Sequence, residues 1–512
     1  MRALIALALA APLAASAAPG AETLYREHCA ACHGAERLGG MGPALLPENL
    51  SRLRWGDAER VIAEGRAATQ MPGFAGRLDA SEIALLARYI AAPPATPPAW
   101  GAAEIEASRI VHRAAADLPP APVHQADPLN LFVVVETGDH HATILDGDRF
   151  EPLARFPTRF ALHGGPKFSP DGRFVYFASR DGWIAKYDLH GLALVAEVRA
   201  GINTRNLAVS SDGRYVMVAN YLPHTLVALD AGDLRLLKVI PVADAAGRSS
   251  RVSAVYDAAP RRSFVAALKD LKQIWEIPYG ADAPPVHRGY VHDYRMGEAI
   301  AESGAFPVRV TELDDYLDDF FFDPGYAHVV GAARDGRGGQ VVNLDVRRQI
   351  AALDLPGLPH LGSGISWTRA DGPVLATPNL KEGVVSVIDL RRWTVMRQIP
   401  TLGPGFFLRS HEASRYAWVD VFFGPHRDAL HVIDKESLEI VATLRPAPGK
   451  TAAHVEFTRD GRYALVSVWE QDGALVIYDA ETLQEVKRLP MRKPSGKYNV
   501  HNKIRRSEGT SH

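Results

Sequence analysis

Two cysteines and a histidine are the first residues in this chain whose spacing could do chemistry. Cys29, Cys32 and His33 stand in "REHCAACHG", and the 512 residues hold no other cysteine. A disulfide between Cys29 and Cys32 would close a short, strained loop. Two thiols alone fall short of the ligand set of a structural zinc site. Cys-x-x-Cys-His reads instead as a c-type haem attachment site, in which both sulfurs bond the porphyrin and His33 ligates its iron. The alternative, a redox dithiol, expects a βαβ setting.

The elements around the motif must position those groups. "AETLYREH" reads as a short helix running into the attachment site. "QMPGFAGRLDASEIALLARYIA" reads as a loop carrying Met71, then an amphipathic helix with Ile83, Leu85, Leu86, Tyr89 and Ile90 on its apolar face. A thioether opposite an imidazole gives the low-spin iron of electron-transfer cytochromes. Met71 is the expected sixth ligand, and Met41 in "GGMGPAL" is its rival. Residues 19–94 resemble an all-α class I cytochrome c.

Ahead of this unit stands "MRALIALALAAPLAASAAPG": one Arg, an apolar run and a small-residue cleavage pattern. Residues 1–18 therefore read as a secretory signal peptide, too short to remain as a membrane span. Export to an oxidising compartment, the periplasm, is expected. After it, "PPATPPAW" at 93–100 makes a proline-rich break. The expected linker is 95–125 and the expected second domain 126–512.

The second domain repeats. Segments starting at 131, 168, 209, 256, 322, 368, 410 and 457 share one pattern: a turn, a hydrophobic strand, a short break, a second strand and a polar turn. Asp-Gly turns flanked by Val, Tyr, Phe and Ile signal hairpins. An all-β repeat of about 40–47 residues is the length of a propeller blade. Eight repeats predict an eight-bladed propeller. Lys and Arg total 57 against 59 Asp and Glu, so no basic excess is available for nucleic acid. A propeller can also be a binding scaffold, so function must be argued from the site.

An exported haem c unit followed by eight β repeats resembles the cytochrome cd1 family, which covers nitrite reductase and its paralogues in haem d1 biosynthesis. The resemblance implies a second, non-covalent tetrapyrrole, haem d1 or dihydro-haem d1, on the propeller axis. It implies that His163, in "FALHGG", is the proximal iron ligand, and that Arg180 and Arg205 face the cofactor's carboxylates. Arg173 is a further candidate. Arginine suits that task because its planar fork binds carboxylates in pairs. On the distal side the resemblance implies His360, in "LPHLGSG", with Ser363 where the family has an arginine. The second distal histidine of the nitrite reductases has no counterpart before His328 in 310–328, and Asp314 and Asp315 stand near its place.

An imidazole titrates near neutrality and can deliver protons to bound nitrite, whereas an ionised aspartate would repel it. The nitrite reductases also have an N-terminal arm offering a tyrosine to the d1 iron, and only a short stretch precedes Cys29 here. His454 in "TAAHVEF" and Tyr498 in "SGKYNV" resemble the catalytic pair of the dehydrogenating branch. That branch turns a propionate of the d1 precursor into an acrylate, with electrons leaving through haem c. The expected partners are the tetrapyrrole substrate, a periplasmic electron acceptor, and nitrite reductase with other d1-assembly proteins. Neither nucleic acid nor a membrane span is expected. The alternatives are a divergent nitrite reductase and a non-enzymatic d1 carrier.

Overall fold

The computed structural model describes residues 20–40, 42–50, 53, 55–65, 71–96, 98–280, 285–286, 304–333, 338–505 and 508–509. The expected signal peptide and Met41 lie outside the described residues. Among those described, no helix is long and apolar enough to cross a membrane.

The N-terminal unit is helical: Ala21–His28, Ala30–His33, Pro47–Leu50, Trp55–Glu64 and Ala80–Ala91. The last helix starts at a capping box. Asp79 accepts from the backbone N–H groups of Ser81 and Glu82, and Glu82 accepts from that of Asp79 at 2.9 Å. Its Ile83, Leu86 and Ile90 pack on Leu24, Tyr25, Ile62 and Phe74. This core closes around the attachment site, since Cys29 and Met71 both pack against it.

The rest is an eight-bladed propeller. Seven antiparallel sheets are built from residues 167–199, 203–241, 252–312, 319–353, 365–400, 408–444 and 452–491. The eighth takes three strands from 131–157 and its innermost from Pro494–Asn499. That strand pairs with Leu131–Glu136, placing Tyr498 opposite Val133 and closing the ring. The segment at 131 therefore supplies only part of a blade. Helix Ala102–Ser108 packs on the outer strands Ala193–Arg199 and Leu236–Pro241, and Ile110–Val111 extends the sheet of 167–199.

In four blades an Asp-Gly pair (171–172, 212–213, 371–372 and 460–461) makes the turn from the innermost strand to the second. In three of them a Ser or Thr hydroxyl bonds the Asp (Ser169 to Asp171, Ser210 to Asp212, Thr458 to Asp460). The following Gly172, Gly213 and Gly461 take φ of +75°, +71° and +74°, the left-handed region glycine enters without steric cost. In these blades the innermost strand runs from the loop arriving from the previous blade down to the Asp-Gly turn. Groups on the arriving loops, and on the loops joining second and third strands, share the opposite mouth of the axis.

Candidate active site

His163, Arg180, Arg205, His360 and His454 all lie on those loops or in the first half of an innermost strand. Arg173 does not. It sits in the Asp-Gly turn at the other end, where Nε donates to Asp188 at 3.0 Å and Nη2 to the Pro119 carbonyl at 2.8 Å. Arg173 is a blade-turn residue away from the axial mouth.

His163 arrives ahead of blade 167–199 and His360 ahead of blade 365–400. Four steps separate these blades in a ring of eight, so the two imidazoles face one another across the axis. Each is held alike. His163 Nδ1 bonds the Arg205 carbonyl at 2.7 Å, and His360 Nδ1 bonds the Phe406 carbonyl at 2.7 Å. A carbonyl only accepts, so Nδ1 carries the proton and Nε2 carries the lone pair that could ligate a metal. At His163, Arg180 Nη2 reaches Nε2 at 2.8 Å and Arg205 Nη1 at 3.0 Å. Burial, then Arg180 and Arg205, hold His163 well below the usual imidazole pKa and therefore neutral. Burial also lowers His360, partly offset by Asp319, whose Oδ2 lies 3.8 Å from Nε2.

The axial mouth is rich in cations. Arg409, on the innermost strand Leu408–Arg409, is buried, and its Nε has no partner among the described residues. Lys167 is pushed down to about 7 by burial and by its neighbours Lys503 and Arg409, while Lys503, on helix Val500–Arg505, pairs with the buried Glu456 at 3.4 Å. Repulsion between Lys167 and Arg409 favours an anion beside them.

His454 and Tyr498 meet, although they lie on different strands. Their ring centroids are 5.1 Å apart at 62°, and the Phe407 ring covers His454 at 4.7 Å. His454 is fully buried, and neither ring nitrogen has a hydrogen-bond partner among the described residues, an arrangement that needs explaining in a native interior. Burial, with Lys497 nearby, keeps it neutral far below the usual pKa. Its backbone is strained as well: φ is +47° at a bulge between Ala453 and Val455. A non-glycine residue there costs about 1–3 kcal/mol, and such strain gathers at functional sites. The peptide is clamped by Asp420, which accepts its N–H at 3.0 Å, and by the Lys497 ammonium on its carbonyl. Tyr498 lies over the loop of His163. A Cβ on Gly165, at φ +69°, would come 3.0 Å from the tyrosine ring. Burial pushes the Tyr498 hydroxyl up to about 12.

The N-terminal unit supplies a second site. His33 is buried, and its Nδ1 bonds the Pro43 carbonyl at 2.7 Å, again leaving Nε2 to ligate. Gly42 lies against the imidazole: a Cβ there would sit 2.6 Å from Cε1. Cys29 and Cys32 are unpaired thiols on the turn before His33. This donor set fits a covalent haem, with Met71 in the same core as the thioether. The unit docks on the axial mouth. Ala44 and Leu46 pack on Ile202, and Arg199 bridges the Leu38 carbonyl at 2.5 Å and the Asp181 carbonyl at 2.8 Å. Asp181 adjoins Arg180, the partner of His163.

Some placements differ from the sequence expectations. Asp314 is exposed, and Asp315 accepts from the Tyr316 N–H. The acid facing the axis is Asp319, which opens the innermost strand Asp319–Phe322. His328 packs on Trp393 and bonds Asn343 at the other end of its strand. Ser363 is buried, and its carbonyl lies 3.5 Å from Arg409 Nη1, a guanidinium from the next blade. Arg409, Asp420 and Lys497 are not among the residues the sequence singles out. Their sole sequence signal is a charged residue on an otherwise apolar inner or second strand, as in "FFLRS" and "AWVDV".

Residues 126–295 and 299–503 match the Cytochrome D1 heme domain, and residues 16–90 match Cytochrome C oxidase, cbb3-type, subunit III. The chain belongs to the cytochrome D1 family, with a cytochrome c unit ahead of the propeller. It is 60% identical over 508 residues to a dihydro-heme d1 dehydrogenase of Pseudomonas aeruginosa, covering 99% of each chain. It is 32% identical over 379 residues to Protein NirF of the same organism, 73% of this chain and 91% of that one. Among solved structures it resembles dihydro-heme d1 dehydrogenase NirN in complex with DHE, with a TM-score of 0.85 and 59% identity over 94% of this chain and 99% of that one.

Proposed function

We propose that this chain is a dihydro-haem d1 dehydrogenase, oxidising one propionate of the d1 precursor to the acrylate of haem d1. The observation that carries the reading is His454: a neutral, fully buried imidazole whose two nitrogens have no hydrogen-bond partner among the described residues, edge-on to Tyr498 and close to the cations Lys497 and Arg409. Whole-length identity of 60% to a dihydro-heme d1 dehydrogenase supports it.

The substrate is held between His163 and His360 through their Nε2 atoms. Arg180 and Arg205 pair with its carboxylates. The reaction turns –CH2–CH2–COO⁻ into –CH=CH–COO⁻ and releases two protons and two electrons. His454 takes a proton from the saturated arm. Its low pKa keeps it in the base form, and the apolar cover of Phe407 excludes water. Tyr498 orients the arm's carboxyl group and remains protonated while doing so.

Cys29 and Cys32 would attach one haem c, and His33 and Met71 would hold its iron. When bound, that group would supply one-electron chemistry between the substrate and an external periplasmic acceptor. The signal-like 1–18 segment supports a periplasmic location, and the product's consumers there are nitrite reductase and its assembly partners. Two histidines on the axis leave no position for nitrite, and Asp319 would repel it.

The test is the mass of the bound tetrapyrrole. Purified protein with dihydro-precursor and excess one-electron oxidant is expected to yield a product lighter by two hydrogens. An unchanged mass with transfer to apo-nitrite reductase would make the chain a carrier. Sustained turnover of nitrite would make it a reductase.

A further inference from the structure

We infer that Asp420 is a positioning residue that ties His360 to His454, so that holding the tetrapyrrole iron and removing the proton are set by one buried carboxylate. The inference rests on the reading of His360 as a ligand and His454 as the base. Asp420 ends the strand Tyr416–Asp420 and is fully buried. Oδ1 accepts the N–H groups of Phe406 at 2.7 Å and Phe407 at 3.0 Å, and Oδ2 accepts that of His454 at 3.0 Å. The Phe406 carbonyl in turn holds His360 Nδ1 at 2.7 Å.

One carboxylate therefore fixes a loop of one blade and an innermost strand of the next. The loop sets the His360 ring through a peptide, and the carboxylate also holds the strained backbone from which His454 projects. The rings follow the same division: Phe406 packs on His360 at 4.5 Å and Phe407 on His454 at 4.7 Å. Four bonds connect the two imidazole-bearing segments without a side-chain cation among them. An asparagine could keep only one half of this arrangement, because its amide nitrogen cannot accept from a backbone N–H.

The experiment compares the full-length, haem c-loaded parent with Asp420→Asn, His360→Ala and His454→Ala, each given dihydro-precursor. Three signals are read: the low-spin fraction of the precursor iron, the single-turnover rate, and hydrogen exchange of peptides covering 404–408 and 452–456. Groups behind a ligating histidine typically carry about 10–100-fold effects. Asp420→Asn is expected to keep precursor binding, lose low-spin character, slow acrylate formation about 10–100-fold and deprotect both peptides together. A change confined to one loop overturns the coupling, as does a parental Asp420→Asn beside effective His360→Ala and His454→Ala. A parental spectrum in His360→Ala, or a parental rate in His454→Ala, overturns the underlying reading and the inference with it. If Asp420→Asn does not fold, the parent decides: precursor should protect both peptides together, and protection of only one contradicts the tie.

Discussion

His163 and His360 face each other from blades half a turn apart, and each donates Nδ1–H to a backbone carbonyl at 2.7 Å. This shared support turns both Nε2 atoms toward the axis. Two neutral imidazoles so placed predict a low-spin, six-coordinate iron in the bound tetrapyrrole. Replacing His360 with Ala should convert the oxidised spectrum to high-spin or water-bound. An unchanged low-spin spectrum would remove His360 from the site.

The covalent haem should be separable from the propeller. Cys29 packs on a core formed by the N-terminal helices, whereas His163 and His360 are held by carbonyls of the propeller. Cys29→Ala with Cys32→Ala should abolish haem that survives denaturation while tetrapyrrole binding persists. Loss of tetrapyrrole binding in a folded double variant would contradict that independence.

Much of this architecture is legible in the amino-acid sequence alone. Cys-x-x-Cys-His is a local motif, and the Asp-Gly turns recur because each needs a left-handed glycine at the same step. His163 and His360 stand out through short flanking patterns. Asp420 has no such signal, because its three partners come from loops 13 to 34 residues away and meet only when the ring closes. The segment at 131 supplies only three strands of its blade for a similar reason, since the innermost strand is Pro494–Asn499. The acid at the axis is Asp319 rather than Asp314 or Asp315, because the start of the strand Asp319–Phe322 decides which aspartate turns inward.

Substrate affinity should depend on pH through Lys167. In the free protein its pKa is pushed down to about 7, below the ordinary lysine value. A bound polycarboxylate favours the charged form and raises it. Binding should thus be tightest below about pH 7, weaken as pH rises, and take up a proton above about pH 7. Calorimetry in buffers of different ionisation enthalpy measures that uptake. No uptake, or tighter binding at higher pH, would place the carboxylates away from this lysine.

Nitrite should be a poor substrate. No histidine precedes His328 in 310–328, and Asp319 lies 3.8 Å from His360 Nε2. Protein loaded with haem d1 and given a reductant should produce little or no nitric oxide. Turnover at the level of a nitrite reductase would overturn the assignment and leave the fold intact.

In the proposed reaction His454 removes a proton from the precursor's propionate while Tyr498 orients it. The direct measurement is single-turnover conversion of dihydro-precursor with excess oxidant, followed by absorbance and by product mass, in the parent, His454→Ala and Tyr498→Phe. Loss of a general base costs about 10²–10⁴ in rate. His454→Ala should bind precursor normally and form the product lacking two hydrogens slower by that factor, with a smaller loss for Tyr498→Phe. Conversion by His454→Ala at the parental rate would contradict the account.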